Sequence, residues 1–163
     1  MKYSSINWKY IVVVGLSAAG TDIVSVLLAK PLPDNNRIIA IERPPFAYWG
    51  VGSLRAAVIP GWEEKVIMSL NNVCPEDESH KVLAATPVVS LSERTIEIDR
   101  TFPEPGLHER FIPFDFCVLA TGSVYPFPTR PHQKTKEEAI DDSRQTQREL
   151  AEAELSYVSE VDQ

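Results

Sequence analysis

The hydrophobic pattern of the chain is sharpest near its start. Residues 11–14, IVVV, form an unbroken β-branched run, as expected of a short strand buried on both faces rather than one alternating between core and solvent. Gly15 ends the run. Over residues 17–30 the apolar positions Ala19, Ile23, Val24, Val26, Leu27 and Leu28 suit a helix laid on a sheet, and PLP at 31–33 closes it. A second apolar strand at residues 37–41 ends at Glu42. The spacing predicts a β-α-β unit of about thirty residues with parallel strands.

Residues 43–73 lose this regularity, and RPPF, YWGVG and IPGW predict loops and short helical turns. A β pattern resumes in KVLAATPVVSLS, TIEID and RFIP. The turns SERT and FPEPG between these segments predict an antiparallel meander. FDFCVLA at 114–120 is a further apolar run, expected to return to the central parallel sheet. The expected fold class is α/β, a Rossmann-like domain with a central parallel sheet and a small antiparallel meander.

After Pro126, Pro128 and Pro131 the pattern thins. Residues 129–163 carry five Lys/Arg against nine Asp/Glu and no glycine. KEEAIDDSRQTQRELAEAEL consists of strong helix formers, but its apolar positions Ile140, Leu150, Leu155 and Val158 are sparse, which predicts a solvated helix. The expected division is one domain over 1–128 and an acidic, mostly helical tail or linker over 129–163.

Composition narrows the function. With 163 residues, 44% hydrophobic and 24% charged, the chain can bury the core of one ordinary domain. A net charge of -7 supplies no basic field for nucleic acid or anionic lipid, so a bound nucleotide would need local donors. Cys74 and Cys117 form neither a C-x-x-C pair nor a Cys/His cluster of metal-ligand spacing. This predicts reduced thiols, no metal site and a cytoplasmic location. Lys2 and Lys9 before YIVVVGL and SAAG imitate a secretion signal, but cleavage there would discard the first strand and its turn. Gly15, Gly20 and Asp22 interrupt the apolar stretch at 10–29, so no membrane span is expected.

The candidate chemistry begins at GLSAAG, residues 15–20. A strand-to-helix turn brings free backbone N–H groups and the positive end of a helix dipole together, which suits a pyrophosphate. Gly15 permits the tight turn, and Gly20 permits close helix–strand packing. Ser17 stands where the dinucleotide fingerprint G-x-G-x-x-G has its middle glycine, and a small residue there still lets phosphate approach. Glu42, at the tip of the second strand, is placed to accept hydrogen bonds from a ribose diol. The same turn also resembles the nucleophile elbow G-x-S-x-G of serine hydrolases, with Asp99 or Asp115 and then His108 or His132 in a permitted order. That reading makes Ser17 a nucleophile, although Ala19 replaces the second elbow glycine.

A more specific resemblance lies in three motifs in order: Gly15-x-Ser17-x-Ala19-Gly20, LRAAV at 54–58 followed by PGWE, and VLATGSVYPFP at 118–128. Together, over residues 10–128, they resemble the apoptosis-inducing-factor-like flavoproteins, especially the fungal members of the ferroptosis-suppressor branch. The resemblance implies an FAD domain of the glutathione-reductase type and NAD(P)H-dependent reduction of a quinone-like small-molecule acceptor. It puts the FAD pyrophosphate at Gly15, Ser17, Ala19 and Gly20, and the adenosine ribose at Glu42 and Arg43. Backbone at Val88 would meet adenine, Ala120, Thr121 and Gly122 would line the cofactor, and Tyr48, Trp49 and Arg55 would approach the flavin. The absence of a Cys pair after Glu42 sets the chain apart from the disulfide reductases, and a catalytic side chain is not identified.

The resemblance also implies a second glycine fingerprint for NAD(P)H, which residues 129–163 do not contain. The expectation is therefore the FAD-binding part of such an oxidoreductase, ending before the nicotinamide domain and docking to further domains or to a second copy. Peripheral association with membranes or mitochondria is a further expectation from the family. The alternative is a non-catalytic nucleotide-binding remnant or interaction module.

Overall fold

The computed structural model describes residues 8–74, 79–103, 107–123 and 135–161. In chain order the first elements are β1 (Lys9–Val14), α1 (Ala18–Leu28), β2 (Asn36–Ile41), β3 (Phe46–Tyr48), α2 (Ser53–Val58), α3 (Glu63–Val66) and β4 (Ile67–Ser69). They are followed by β5 (Lys81–Leu83), β6 (Val88–Leu91), β7 (Thr95–Ile98), β8 (Phe111–Pro113), β9 (Phe116–Leu119) and α4 (Lys136–Val161). The elements form two compact units, Met1–Pro45 with Leu70–Gly122 and Phe46–Ser69 with Ser123–Gln163. The sequence, by contrast, suggests one boundary after residue 128. Pro126, Pro128, Pro131 and His132, and the side chains of Leu155 and Val158, lie outside the described residues.

The first unit is built on a parallel sheet of order β5-β2-β1-β9. Adjacent strand residues point to opposite faces, so the run at 11–14 serves two cores. Val12, Val14, Ile39 and Ile41 pack with Ile96, Ile98 and Ile112 of the antiparallel sheet β6-β7-β8. On the opposite face Val13, Ile38 and Ala40 are fully buried, as are Leu16 and Val24 on the α1 side. Burying each such aliphatic side chain contributes roughly 1.5–3 kcal/mol. The unalternating hydrophobic run follows directly from this double coverage. At the amino edge the Asp115 N–H donates to the Tyr10 carbonyl at 2.9 Å, and the Tyr10 N–H donates to Asp115 Oδ2 at 3.0 Å. These bonds register FDFCVLA against β1 as the sequence leads one to expect.

KVLAATPVVSLS is not one β segment. Lys81–Leu83 joins the parallel sheet beside β2, and the meander starts only at Val88. A tight reversal separates the two, with Ala85 at φ 51° and the Thr86 N–H bonded to the Glu42 carbonyl at 2.9 Å. No glycine or asparagine marks this turn in the sequence.

In the second unit β3 and β4 pair antiparallel, with Ala47 opposite Met68. Between them lie one 3-10 turn at Gly50–Gly52 and the short helices α2 and α3. The helical turns were expected; the hairpin enclosing them was not. The solvated-helix expectation for α4 also needs correction. Ala139 of α4 is fully buried, and Ile140 packs against a cluster containing Phe46, Ala56, Val66 and Ile67. Polar side chains complete the attachment. Gln147 Nε2 donates to the Ala56 carbonyl at 2.6 Å and to Glu63 Oε2 at 3.0 Å, while Arg144 Nε donates to Glu63 Oε1 at 3.0 Å. A count of apolar positions misses such a face because it is polar on the helix and buried on the partner.

Candidate nucleotide site

The candidate site lies in the first unit at the carboxyl edge of the parallel sheet. Gly15 leaves β1 at φ +93°, and its N–H donates to the Ile41 carbonyl at 2.8 Å. A Cβ on Gly15 would stand 2.4 Å from the Ala120 carbonyl oxygen and 3.1 Å from the Thr121 Cα. Position 15 therefore tolerates no side chain, for conformational and steric reasons alike. A Cβ on Gly20 would fall 1.7 Å from the Gly15 carbonyl oxygen. Both glycines thus bring α1, the end of β1 and the end of β9 to backbone contact.

The geometry then offers a set of donors. Ser17 caps α1 in extended backbone, and the first intrahelical bond runs from the Thr21 N–H to the Ser17 carbonyl at 3.0 Å. The amides of Ala18, Ala19 and Gly20 precede that bond and lack intrahelical partners. There is no acidic residue in the first turn, so no carboxylate of α1 competes with an anion for the positive end of the helix dipole. A cradle of backbone donors beside glycines that admit close approach fits a pyrophosphate. The backbone at Ser17, Ala19 and Gly20 could hold the phosphates of a dinucleotide.

Glu42 stands at the tip of β2, only 7% exposed. Its Oε2 accepts the Leu16 N–H and its Oε1 accepts the Arg43 N–H at 2.9 Å. The predicted ribose carboxylate is thus beside the glycine turn. Ala120 closes against Gly15, its N–H donating to the Val14 carbonyl at 2.8 Å, while Gly122 adopts φ +65° in open space. Val88 opens β6 opposite Ile98, two positions after the buried Thr86. Leu16, Ala85 and Thr86 were missed by sequence reasoning; they act through backbone groups, which leave no trace in residue type.

Tyr48, Trp49 and Arg55 belong to the second unit. There the Arg55 guanidinium lies 4.6 Å from the Trp62 ring centroid, a cation–π contact, and Trp49 lines the side of Gly52.

Asp115, one candidate partner for a nucleophilic Ser17, is not beside it. Asp115 is bound to Tyr10 at the amino end of β1, whereas Ser17 follows its carboxyl end. At about 3.3 Å per residue the four steps from Tyr10 to Val14 alone separate the two by about 13 Å. Asp99 is paired with Arg100 at 2.8 Å, and His132 lies outside the described residues. The two thiols are not joined in a disulfide, and burial pushes that of Cys117 up, away from the reactive thiolate. Among the described residues no group of His, Cys, Asp and Glu could hold a metal, and no helix is long and apolar enough to cross a membrane.

The comparisons with known proteins bear on the fold. No family model and no curated protein matches the chain. Solved structures do match. A sulfide:quinone oxidoreductase from Aquifex aeolicus aligns with a TM-score of 0.55 at 18% identity, over 88% of this chain and 32% of its own. A water-forming NADH oxidase from Lactobacillus brevis, bound to NADH, aligns with a TM-score of 0.59 at 16% identity, over 82% of this chain and 32% of its own. Reduced CoADR-RHD from Bacillus anthracis aligns with a TM-score of 0.55 at 21% identity, over 76% and 22%. The chain shares their fold. It spans a third or less of the length of these structures.

Proposed function

We propose that this chain is the FAD-binding portion of an NAD(P)H-dependent oxidoreductase related to the apoptosis-inducing-factor-like flavoproteins, with a quinone-like small molecule as acceptor. The observation that carries the reading is the glycine turn itself. Gly15 and Gly20 let three chain segments meet at backbone distance, the amides at 18–20 precede the first intrahelical bond, and Glu42 is bonded to the turn. Two of the structures sharing this fold are named as an oxidase of NADH and an oxidoreductase of quinone, which supports redox work over hydrolysis.

FAD held at this turn would supply the redox chemistry. The chain's own contribution is to hold and orient the cofactor. The α1 amides would bind the pyrophosphate, Glu42 would accept from the adenosine ribose, Val88 would offer backbone to adenine, and Ala120, Thr121 and Gly122 would line the approach to the flavin. Arg43 would add charge near the ribose. No cysteine pair takes part.

The test is direct. The purified protein, mixed with FAD and passed over a desalting column, is expected to emerge with flavin absorbance in stoichiometric proportion. Elution without flavin at saturating FAD would remove the reading. Covalent labelling of Ser17 by a fluorophosphonate would replace it with the hydrolase.

A further inference from the structure

Building on the nucleotide reading, we propose that Glu42 is a positioning residue for the pyrophosphate turn, a role separate from contact with the ribose. Its carboxylate spans from β2 to the turn after β1, accepting the Leu16 N–H on one oxygen and the Arg43 N–H on the other. Its backbone ties a third segment, because its N–H donates to the Leu83 carbonyl at 3.0 Å and its carbonyl accepts the Thr86 N–H at 2.9 Å. One residue thus joins the turn after β1, the end of β2 and the turn after β5.

The consequence concerns which amides are available to phosphate. Leu16 has a fully buried side chain, so its N–H needs a protein acceptor; an unpaired buried N–H costs about as much as a lost hydrogen bond. Glu42 supplies that acceptor. With the Leu16 N–H turned toward Glu42, the peptide between Gly15 and Leu16 is fixed. Ser17 and the amides at 18–20 are then presented before any nucleotide arrives.

The experiment separates the two roles with ligands that differ only in the diol. ADP and 2′,3′-dideoxy-ADP are titrated calorimetrically into the wild-type protein, Glu42→Ala and Glu42→Gln. Loss of one hydrogen bond corresponds to roughly tenfold, so Glu42→Ala should weaken dideoxy-ADP by about tenfold and ADP by more. Glu42→Gln should recover part of the loss, since its carbonyl oxygen still accepts from Leu16.

Amide hydrogen exchange gives a second readout that needs no ligand. The Leu16 amide should exchange at least about tenfold faster in Glu42→Ala, as expected for loss of one such bond, while the Val13 and Ile39 amides stay protected and report an intact sheet. Unchanged dideoxy-ADP affinity with weakened ADP would show a ribose-only role and overturn the proposal, as would unchanged Leu16 exchange. If the wild-type protein binds neither ligand, the nucleotide reading fails on its own, and Leu16 exchange still decides whether Glu42 fixes the turn.

Discussion

Gly20→Ala sets two physical expectations of opposite sign against each other. By helix propensity alone, alanine for glycine inside α1 stabilises by about 1 kcal/mol. The packing of the turn opposes this. The new Cβ would lie 1.7 Å from the Gly15 carbonyl oxygen and 2.8 Å from its carbon, where real Cβ contacts stay beyond 3.0 Å. The obstacle is backbone, held by the Gly15 N–H bond to Ile41 at 2.8 Å, and it cannot rotate away as a flexible side chain would. Overpacking costs about 1–3 kcal/mol, and a backbone obstacle this close belongs at the upper end. The net expectation is about 2 kcal/mol of destabilisation after the propensity gain of about 1 kcal/mol. A domain stable by about 5–15 kcal/mol survives that loss, so the variant is measurable by urea unfolding. Its FAD uptake should fall as well, because the start of α1 must move by more than 1 Å to clear the contact. Gly61→Ala is the control: φ is +83° with nothing within 4 Å, so it costs about 1 kcal/mol of backbone strain and leaves FAD uptake untouched. A Gly20→Ala protein as stable as wild type, with full uptake, would refute the close-packing account of the turn.

Other perturbations test the second unit. Gln147→Ala removes donors to the Ala56 carbonyl and to Glu63 and should cost about 1–2 kcal/mol in urea unfolding, whereas a solvated α4 would show no change. Burial tends to raise the Glu63 carboxyl, but hydrogen bonds from Gln147, its own backbone N–H, Arg144 and the Gly61 N–H prevail and hold it below the usual carboxylate range. A depressed carboxyl stabilises the fold above its unfolded pKa of about 4.3 and loses that contribution as pH falls through the lower folded value. Glu63→Gln should therefore flatten the loss of stability on going from neutral to acid pH; identical pH slopes would contradict the assignment.

The parts of the fold legible in the sequence are those that periodicity dictates. IVVV reflects burial on both faces, and Val24 marks the buried side of the helix after Ser17, and burial constrains residue type; FDFCVLA takes its expected parallel place beside β1, although Phe116 and Leu119 of that edge strand are exposed. The turn at Ala85 was not legible, because an alanine at φ 51° is held there by its N–H bond to the Pro44 carbonyl and by the Thr86 N–H bond to the Glu42 carbonyl rather than by its own preference. The seating of α4 was hidden for a related reason: Arg144 and Gln147 read as solvent-facing until the buried Glu63 opposite them is known. At the candidate site the side-chain positions Gly15, Gly20 and Glu42 were readable. The link from Glu42 to Leu16 was not, since it joins a carboxylate to a main-chain N–H 26 residues away.

The central claim is that the turn between β1 and α1 holds the pyrophosphate of FAD. An amide-resolved NMR titration of the protein with FAD tests it most directly. The account predicts saturable shifts concentrated at the amides of residues 16–20 and at Glu42 and Arg43, abolished in Gly15→Val. Saturating FAD that leaves those amides unmoved, or moves only residues of the second unit, would contradict it.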